Sequence, residues 1–353
     1  MSICILGNGL TSLTLAKTLA KLSVKVDIFK TQGIMNLDNS RTLAISNDNI
    51  KFFNEKIVNI EKLLWDIKKI EIFSENLKNE KLIDFKNNNK RLFSIIRNND
   101  LSKLLLKELR KNKFVRFKEN FNFDKNNYKL IINCDKNSQI TKKFFYNKNT
   151  KNYFSFAHTA VVKHKKIFNS IARQFFTKHG PVAFLPISST ETSVVFSIKG
   201  KKDIDFGSLL KRYNPGYIIK SKSRVANFEL KSSDLRSYYY ENILAFGDLL
   251  HKLHPLAGQG YNMSIRDIKK LFELIKFRKD LGLDLDKSIC RDFQKNRKHT
   301  NYLFLIGIDF VYEFFNFESK KNSLFLTKSI NSIGKNPLIN NFFRKIGDVG
   351  LST

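Results

Sequence analysis

The chain has 353 residues, of which 42% are hydrophobic and 33 are phenylalanine, enough for two domains or one large domain with a subsidiary sheet. Its formal net charge of +31 comes from 63 Lys and Arg against 32 Asp and Glu. The lysines are scattered among Asn, Ile and Phe without groove-reading or base-stacking motifs, which argues against nucleic acid and leaves weak attraction to anionic lipid.

Three cysteines, Cys4, Cys134 and Cys290, show no metal-ligand spacing and fit a reducing cytoplasm. No uncharged run approaches the roughly 18 to 20 residues that span a bilayer. Met1 leads straight into an apolar strand pattern, so no signal peptide is expected.

Ser2 to Leu6 reads as a strand ending in Gly7-Asn8-Gly9-Leu10-Thr11-Ser12, followed by a helical pattern from Leu10 to Leu22 and a second strand from Val24 to Phe29. Strand, glycine turn, helix and strand in this order let the backbone approach a pyrophosphate at a helix start. Ser12 stands where a third glycine is common and is small enough for close packing. The second strand of such a unit commonly ends in an acid that holds the adenosine ribose, but Lys30 is here, and Asp27 faces the opposite side by strand alternation. Loss of that charged hydrogen bond predicts about ten- to a hundredfold weaker cofactor retention.

Arg41-Thr42-Leu43-Ala44-Ile45-Ser46 comes next, then a helix from Asp48 to Glu55. Residues 67–96 alternate apolar and polar and predict strands of a second sheet. A helix from Leu101 to Leu109 leads to strands at Phe114 to Phe117 and Leu130 to Cys134, the latter ending in the polar turn Asp135-Lys136-Asn137-Ser138. The runs Ala157 to Val162, Ile171 to Phe176, Val182 to Pro186 and Thr192 to Ile198, joined by short turns, predict an antiparallel sheet, with a further strand pair between Tyr217 and Tyr240. From Leu285 onward the pattern is helical, with Gly334 and Pro337 marking a break; Tyr302 to Phe317, interrupted by Asp309 and Glu313, reads as an amphipathic or buried helix.

The remaining stretch, Phe246 to Ile268, lies between a strand at Ile243 to Phe246 and a helix at Met263 to Phe277. Gly247 lets Asp248 leave the strand close to another backbone, Pro255 fixes the chain direction, and Gly258 and Gly260 permit close approach at a helix N-terminus. Such a terminus suits an anionic or carbonyl-rich ligand, although a glycine-rich connection without a ligand accounts for the same residues. His251 and His254 are three apart, but Pro255 interrupts a regular helix and no further ligands are spaced for zinc.

Four parts together, Gly7 to Ser12, Arg41 to Ser46, Gly180-Pro181-Val182-Ala183-Phe184-Leu185-Pro186, and Gly247-Asp248 through His254-Pro255-Leu256-Ala257-Gly258-Gln259-Gly260-Tyr261-Asn262 to Arg266-Asp267, resemble the FAD-dependent hydroxylases of ubiquinone biosynthesis, within the para-hydroxybenzoate hydroxylase-like flavoprotein monooxygenases. The resemblance implies an α/β fold: a Rossmann-like FAD-binding domain from residues 1–66, 97–150 and 241–285, an antiparallel-sheet substrate domain from 67–96 and 151–240, and C-terminal helices from 286–353. It implies FAD held by Gly7, Gly9, Leu10, Thr11, Ser12, Arg41, Gly247, Asp248, Pro255, Ala257, Gly258, Gln259, Gly260, Tyr261 and Asn262, with Arg41, His254 and Pro255 nearest the chemistry.

By the same resemblance NAD(P)H or another electron donor reduces the flavin, and a flavin hydroperoxide transfers a hydroxyl to the ring of a polyprenylated phenol or benzoquinol. Expected partners are that lipid-tailed substrate, other ubiquinone-biosynthesis proteins and a weak peripheral contact at the inner face of the membrane, with the protein in the cytoplasm and no nucleic acid bound. A second departure joins Lys30: the family's Asp-Gly element is Asp135-Lys136, with Gln139 where a serine is common, and a lysine forced to positive φ there costs about 1 to 2 kcal/mol. These departures motivate a competing reading, a non-catalytic scaffold of a quinone-synthesis assembly. A third, charge-driven nucleic-acid binding, predicts steep salt dependence.

Overall fold

Ser2–Leu6 pairs in parallel with Lys25–Phe29 on one side and Ile131–Asn133 on the other, and all three strands are almost wholly buried, as parallel strands covered on both faces must be. The computed structural model describes residues 2–30, 41–75, 81–86, 90–122, 127–200, 203–254, 258–321 and 345–350. Val115–Lys118 continues this sheet beyond Lys25–Phe29, and Ile243–Ala245 beyond Ile131–Asn133, both in parallel, with Tyr239–Tyr240 antiparallel at the edge. Successive strands are thus added on opposite sides of the first, which opens a crevice at its C-terminal end. Helices Leu10–Ala20, Asn98–Arg110 and Gly260–Asp280 pack together against this sheet, sharing a core that includes Leu13, Leu105 and Ile265.

Among the described residues the second sheet has nine strands, built around Lys148–His164, a 17-residue strand. Glu191–Lys199 and Ala226–Leu235 flank it in antiparallel fashion, and Gly180–Pro186 and Ile171–Thr177 follow outward. The expected antiparallel order has one exception, because Ile171–Thr177 pairs in parallel with Lys69–Ser74, whose hairpin partner is Lys81–Lys86. Of residues 67–96, Phe93–Arg97 does not join this sheet; it pairs with Thr42–Ser46 and Trp65–Ile67 in a separate three-stranded sheet.

The strand pair expected between Tyr217 and Tyr240 is also different. Ile219–Lys222 and Ala226–Leu235 both pair with Lys148–His164 and not with each other. The ladder is interrupted after Ser223, whose amide donates to the Val161 carbonyl at 2.9 Å while its hydroxyl accepts from the Val161 amide at 3.0 Å in place of a backbone carbonyl. Alternation divides the sheet: Ala160 and Val162 face the helix Phe206–Tyr213, whereas Tyr153, Ala157 and Val161 face the other way.

The helix Lys287–Lys321 contains the Tyr302 to Phe317 segment, and among the described residues no helix is long and apolar enough to cross a membrane. Gly334 and Pro337 lie outside the described residues. This helix is anchored to Gly260–Asp280 through Asp267, a fully buried carboxylate that accepts from Arg297 Nε at 2.7 Å and Asn301 Nδ2 at 3.1 Å and lies 2.5 Å from His251 Nε2. Burial alone would raise its pKa, but Arg297 and His251 hold it below the ordinary carboxylate range. Replacing Asp267 with Ala strands Arg297 beside a buried hole, so urea denaturation is expected to show a loss of about 3 to 5 kcal/mol, against a negligible change for the exposed-pair variant Lys276→Ala.

Candidate active site

The crevice at the end of Ser2–Leu6 is shaped by backbone. Gly7 is at φ +106, and a Cβ there would meet Ser12 Oγ at 3.4 Å and the Asp135 amide nitrogen at 3.5 Å. Gly9 is the N-cap of Leu10–Ala20 in extended conformation, with no side-chain cap and open space beside it. The amides of the first turn, Leu10, Thr11 and Ser12, therefore have no intrahelical acceptor and no side-chain cap. Gly247 follows the strand Ile243–Ala245 at φ +64, where a Cβ would lie 3.0 Å from Thr11 Cγ2. Burial, with smaller contributions from the carboxylates of exposed Asp248 and of Asp135, pushes the Cys134 thiol up to about 12, which leaves the sulfur inert.

A second uncapped helix start lies nearby. Gly260–Asp280 begins after Gln259 with no side-chain cap and no acid in its first turn. Gly258, at φ +63, brings the loop against Thr42–Ser46, where a Cβ would come within 3.0 Å of the Ala44 Cβ. The Asn262 amide donates to the Ala44 carbonyl at 3.0 Å and accepts from the Ser46 amide at 3.0 Å, so its side chain fastens the loop to that strand. Tyr261 joins the two helices through a buried 2.7 Å contact with Thr14 Oγ1. Gln259 Oε1 is buried with no hydrogen-bond partner among the described residues.

The sequence-predicted residues thus meet in three places. Gly7 to Ser12 meets Gly247 and Asp248, Gly258 to Asn262 meets Ala44 and Ser46, and Leu185 of the Gly180 segment packs into the cluster around Ala44. Arg41 is exposed, at the edge of this arrangement, its carbonyl accepting from the Asn98 amide at 3.1 Å. Gly180 serves its own hairpin instead, since a Cβ would fall 1.9 Å from the Ser197 carbonyl oxygen. Pro255 and Ala257 lie outside the described residues. Lys136 is not in the left-handed region, so the expected strain at Asp135-Lys136 is absent; the turn is held by Ser138, which caps Gln139–Phe144 by accepting from the Thr141 amide.

His254 is buried, and two residues that the motifs did not indicate enclose it. Tyr153, from the face of the second sheet that points away from Phe206–Tyr213, presents its ring edge-on to the His254 ring at 4.6 Å, and Tyr312 of the long helix lies at 4.4 Å. The Tyr153 hydroxyl donates to the Asp309 carboxylate and accepts from Ser232 Oγ at 3.0 Å. Their signal in the sequence is faint: one aromatic in a mixed strand and one in a long helix. Tyr153 of the sheet, His254 of the loop and Tyr312 of the long helix thus form one buried aromatic cluster. The arrangement fits an extended ligand with an anionic diphosphate at one helix start and a planar, carbonyl-bearing ring at the other.

No family model matches the chain. Its fold is that of the FAD-dependent monooxygenases: it superposes on p-nitrophenol 4-monooxygenase from Pseudomonas putida with a TM-score of 0.80 over 99% of this chain and 98% of that one at 12% identity, and on Klebsiella pneumoniae HpxO complexed with FAD and uric acid with a TM-score of 0.76 over 99% and 97%, also at 12% identity.

In sequence it is similar to ubiquinone-biosynthesis monooxygenases, which bears out the resemblance read from its motifs. It is 32% identical over 106 residues to the mitochondrial ubiquinone biosynthesis monooxygenase of Dictyostelium discoideum, 30% of this chain and 21% of that protein. It is 25% identical over 202 residues to a ubiquinone hydroxylase of Rhodospirillum rubrum, 53% of this chain and 46% of that protein. The chain spans less than half the length of each of these relatives in the match.

Burial depresses the His254 pKa from 6.5 to about 4, with the Lys151 charge adding to the effect. The unfolded chain therefore binds the proton first as pH falls: the stabilisation is complete above pH 6.5 and declines toward pH 4, by about 3 kcal/mol in total. Denaturation curves between pH 7 and 4 are expected to show this decline in the native protein and a flatter profile in His254→Asn.

Proposed function

We propose that the chain is an FAD-dependent monooxygenase that hydroxylates the aromatic ring of a polyprenylated phenol or benzoquinol in ubiquinone biosynthesis. The observation that carries this reading is the pair of uncapped helix starts, each brought against a neighbouring segment by a glycine with positive φ, Gly247 on Thr11 and Gly258 on Ala44. The amides of Leu10 to Ser12, with Gly7 and Gly9, would hold the FAD diphosphate, and Asp248 the ribityl chain. Gly258, Gln259, Gly260, Tyr261 and Asn262 would face the flavin ring, and on the sequence motif alone Pro255 and Ala257 join them. Arg41 would stand at the opening used by the substrate or by NAD(P)H or another electron donor.

Bound FAD, once reduced, supplies the activation of oxygen. The chain's own contribution is to orient the ring, exclude water and present backbone N–H groups where negative charge gathers on the flavin. His254, Tyr153 and Tyr312 would wall the chamber, and the bonds between Tyr153 and Asp309 and Ser232 fix the orientation of its ring. The division into an FAD-binding part (1–66, 97–150, 241–285), a substrate sheet (67–96, 151–240) and C-terminal helices (286–353) is proposed on the same basis.

A lipid-tailed substrate calls for a peripheral contact with the inner face of the membrane. The long helix supports it, with Ile308 and Tyr312 packed inward while Tyr302, Leu303, Ile306 and Phe310 are exposed. A scaffold role within a complex of ubiquinone-biosynthesis proteins is the second reading, favoured by Lys30.

A deletion strain complemented with the Asp248→Ala variant separates the two. The enzyme reading expects an under-hydroxylated quinone precursor to accumulate and ubiquinone to fall at least tenfold, measured by mass spectrometry of lipid extracts. Full restoration of ubiquinone by the variant would establish the scaffold.

A further inference from the structure

Lys30 occupies the end of Lys25–Phe29, where an acid commonly holds the adenosine ribose. Asp27 cannot replace that acid. It is buried among Lys118 Nζ at 2.8 Å and the Tyr128 hydroxyl at 2.6 Å, on the opposite side of its strand. A different carboxylate is nearby: Glu119 Oε1 lies 3.3 Å from Lys30 Nζ.

Topology explains how Glu119 comes to be there. Lys25–Phe29 and Val115–Lys118 run in parallel with Phe29 opposite Lys118, and the Lys30 amide donates to the Lys118 carbonyl at 3.1 Å, so the ladder carries Lys30 and Glu119 out of the sheet together. Register neighbours in parallel strands present their side chains on one side. Asn120, at φ +53, turns the chain immediately afterward, which makes Glu119 the last residue to share that direction. The Gly7 amide donates to the Phe29 carbonyl at 3.0 Å, so the glycine turn, Lys30 and Glu119 stand in a row across three strand ends. The ion pair draws the Glu119 carboxylate back across the interstrand gap toward the end of Lys25–Phe29, the position the missing acid would take.

We propose that Glu119, steered by Lys30, is the acid that accepts the ribose hydroxyls of the adenosine half of FAD, a relocation of that role by one strand. This rests on the flavin reading of the site. Both side chains are exposed, about half for Lys30 and three quarters for Glu119, so the pair adds little to folding and its substitutions leave the fold intact. The carboxylate is available to a ligand, and Lys30 limits the directions in which it points.

The test is the dissociation constant of FAD, read from quenching of flavin fluorescence on titration with purified protein, for the native chain, Glu119→Gln and the double variant Lys30→Glu with Glu119→Gln. FMN, which has the ring but no adenosine, is titrated in parallel. Glu119→Gln is expected to weaken FAD by about ten- to a hundredfold and leave FMN unchanged, and the double variant to recover affinity to within about threefold of the native chain. Unchanged FAD affinity in Glu119→Gln, an equal loss for FMN, or no recovery in the double variant overturns the assignment while the flavin reading stands. A native chain that binds neither flavin overturns both.

Discussion

A single buried carboxylate, Asp267, sets the geometry on which the site depends. His251 precedes the glycine-rich loop and Asp267 lies in the first turns of the helix that follows it, and their 2.5 Å contact ties the segment before the loop to the helix after it. Arg297 and Asn301 bind the other oxygen, which ties both to the long C-terminal helix. A carboxylate with such partners is costly to disturb, because removing any one of them leaves a charge or polar group uncompensated in the core. The loop that would face the flavin is therefore positioned by chemistry some distance behind it.

Given that anchorage, glycine determines how near the segments come. Gly247 and Gly258 each adopt a backbone conformation that disfavours other residues, and each leaves room for no more than the side chain it meets, Thr11 in one case and Ala44 in the other. Two helix starts lacking caps are thereby brought to one crevice, while the Thr14 to Tyr261 contact keeps the helices from separating. The second sheet adds an apolar covering whose aromatic members, Tyr153 and the helix residue Tyr312, enclose His254.

The parallel sheet was readable from the sequence because its strands are continuous apolar runs separated by a glycine turn, and strand, turn and helix order determine the topology. The converging motifs were readable for a related reason: close backbone approach needs glycine, and glycine is visible in a sequence. Pairings in the second sheet were less so. The parallel junction of Lys69–Ser74 with Ile171–Thr177 joins segments about a hundred residues apart, and nothing local in either specifies its partner. Tyr153 and Tyr312 escaped notice because each is an isolated aromatic in a chain rich in them. Lys30 and Lys136 were visible as departures, but only the structure separates their consequences. Lys136 sits in an unstrained turn, and Lys30 meets a carboxylate from the neighbouring strand.

The central claim is that the two helix starts, held together by these glycines, form a flavin site. The most direct measurement is the absorption spectrum of the purified chain after incubation with FAD and removal of free flavin, compared with Gly258→Val, whose side chain would collide with Ala44. A bound flavin band near one equivalent is expected in the native chain, and at least a tenfold loss in the variant. A native chain that retains no flavin, or a variant that retains as much, would contradict that claim.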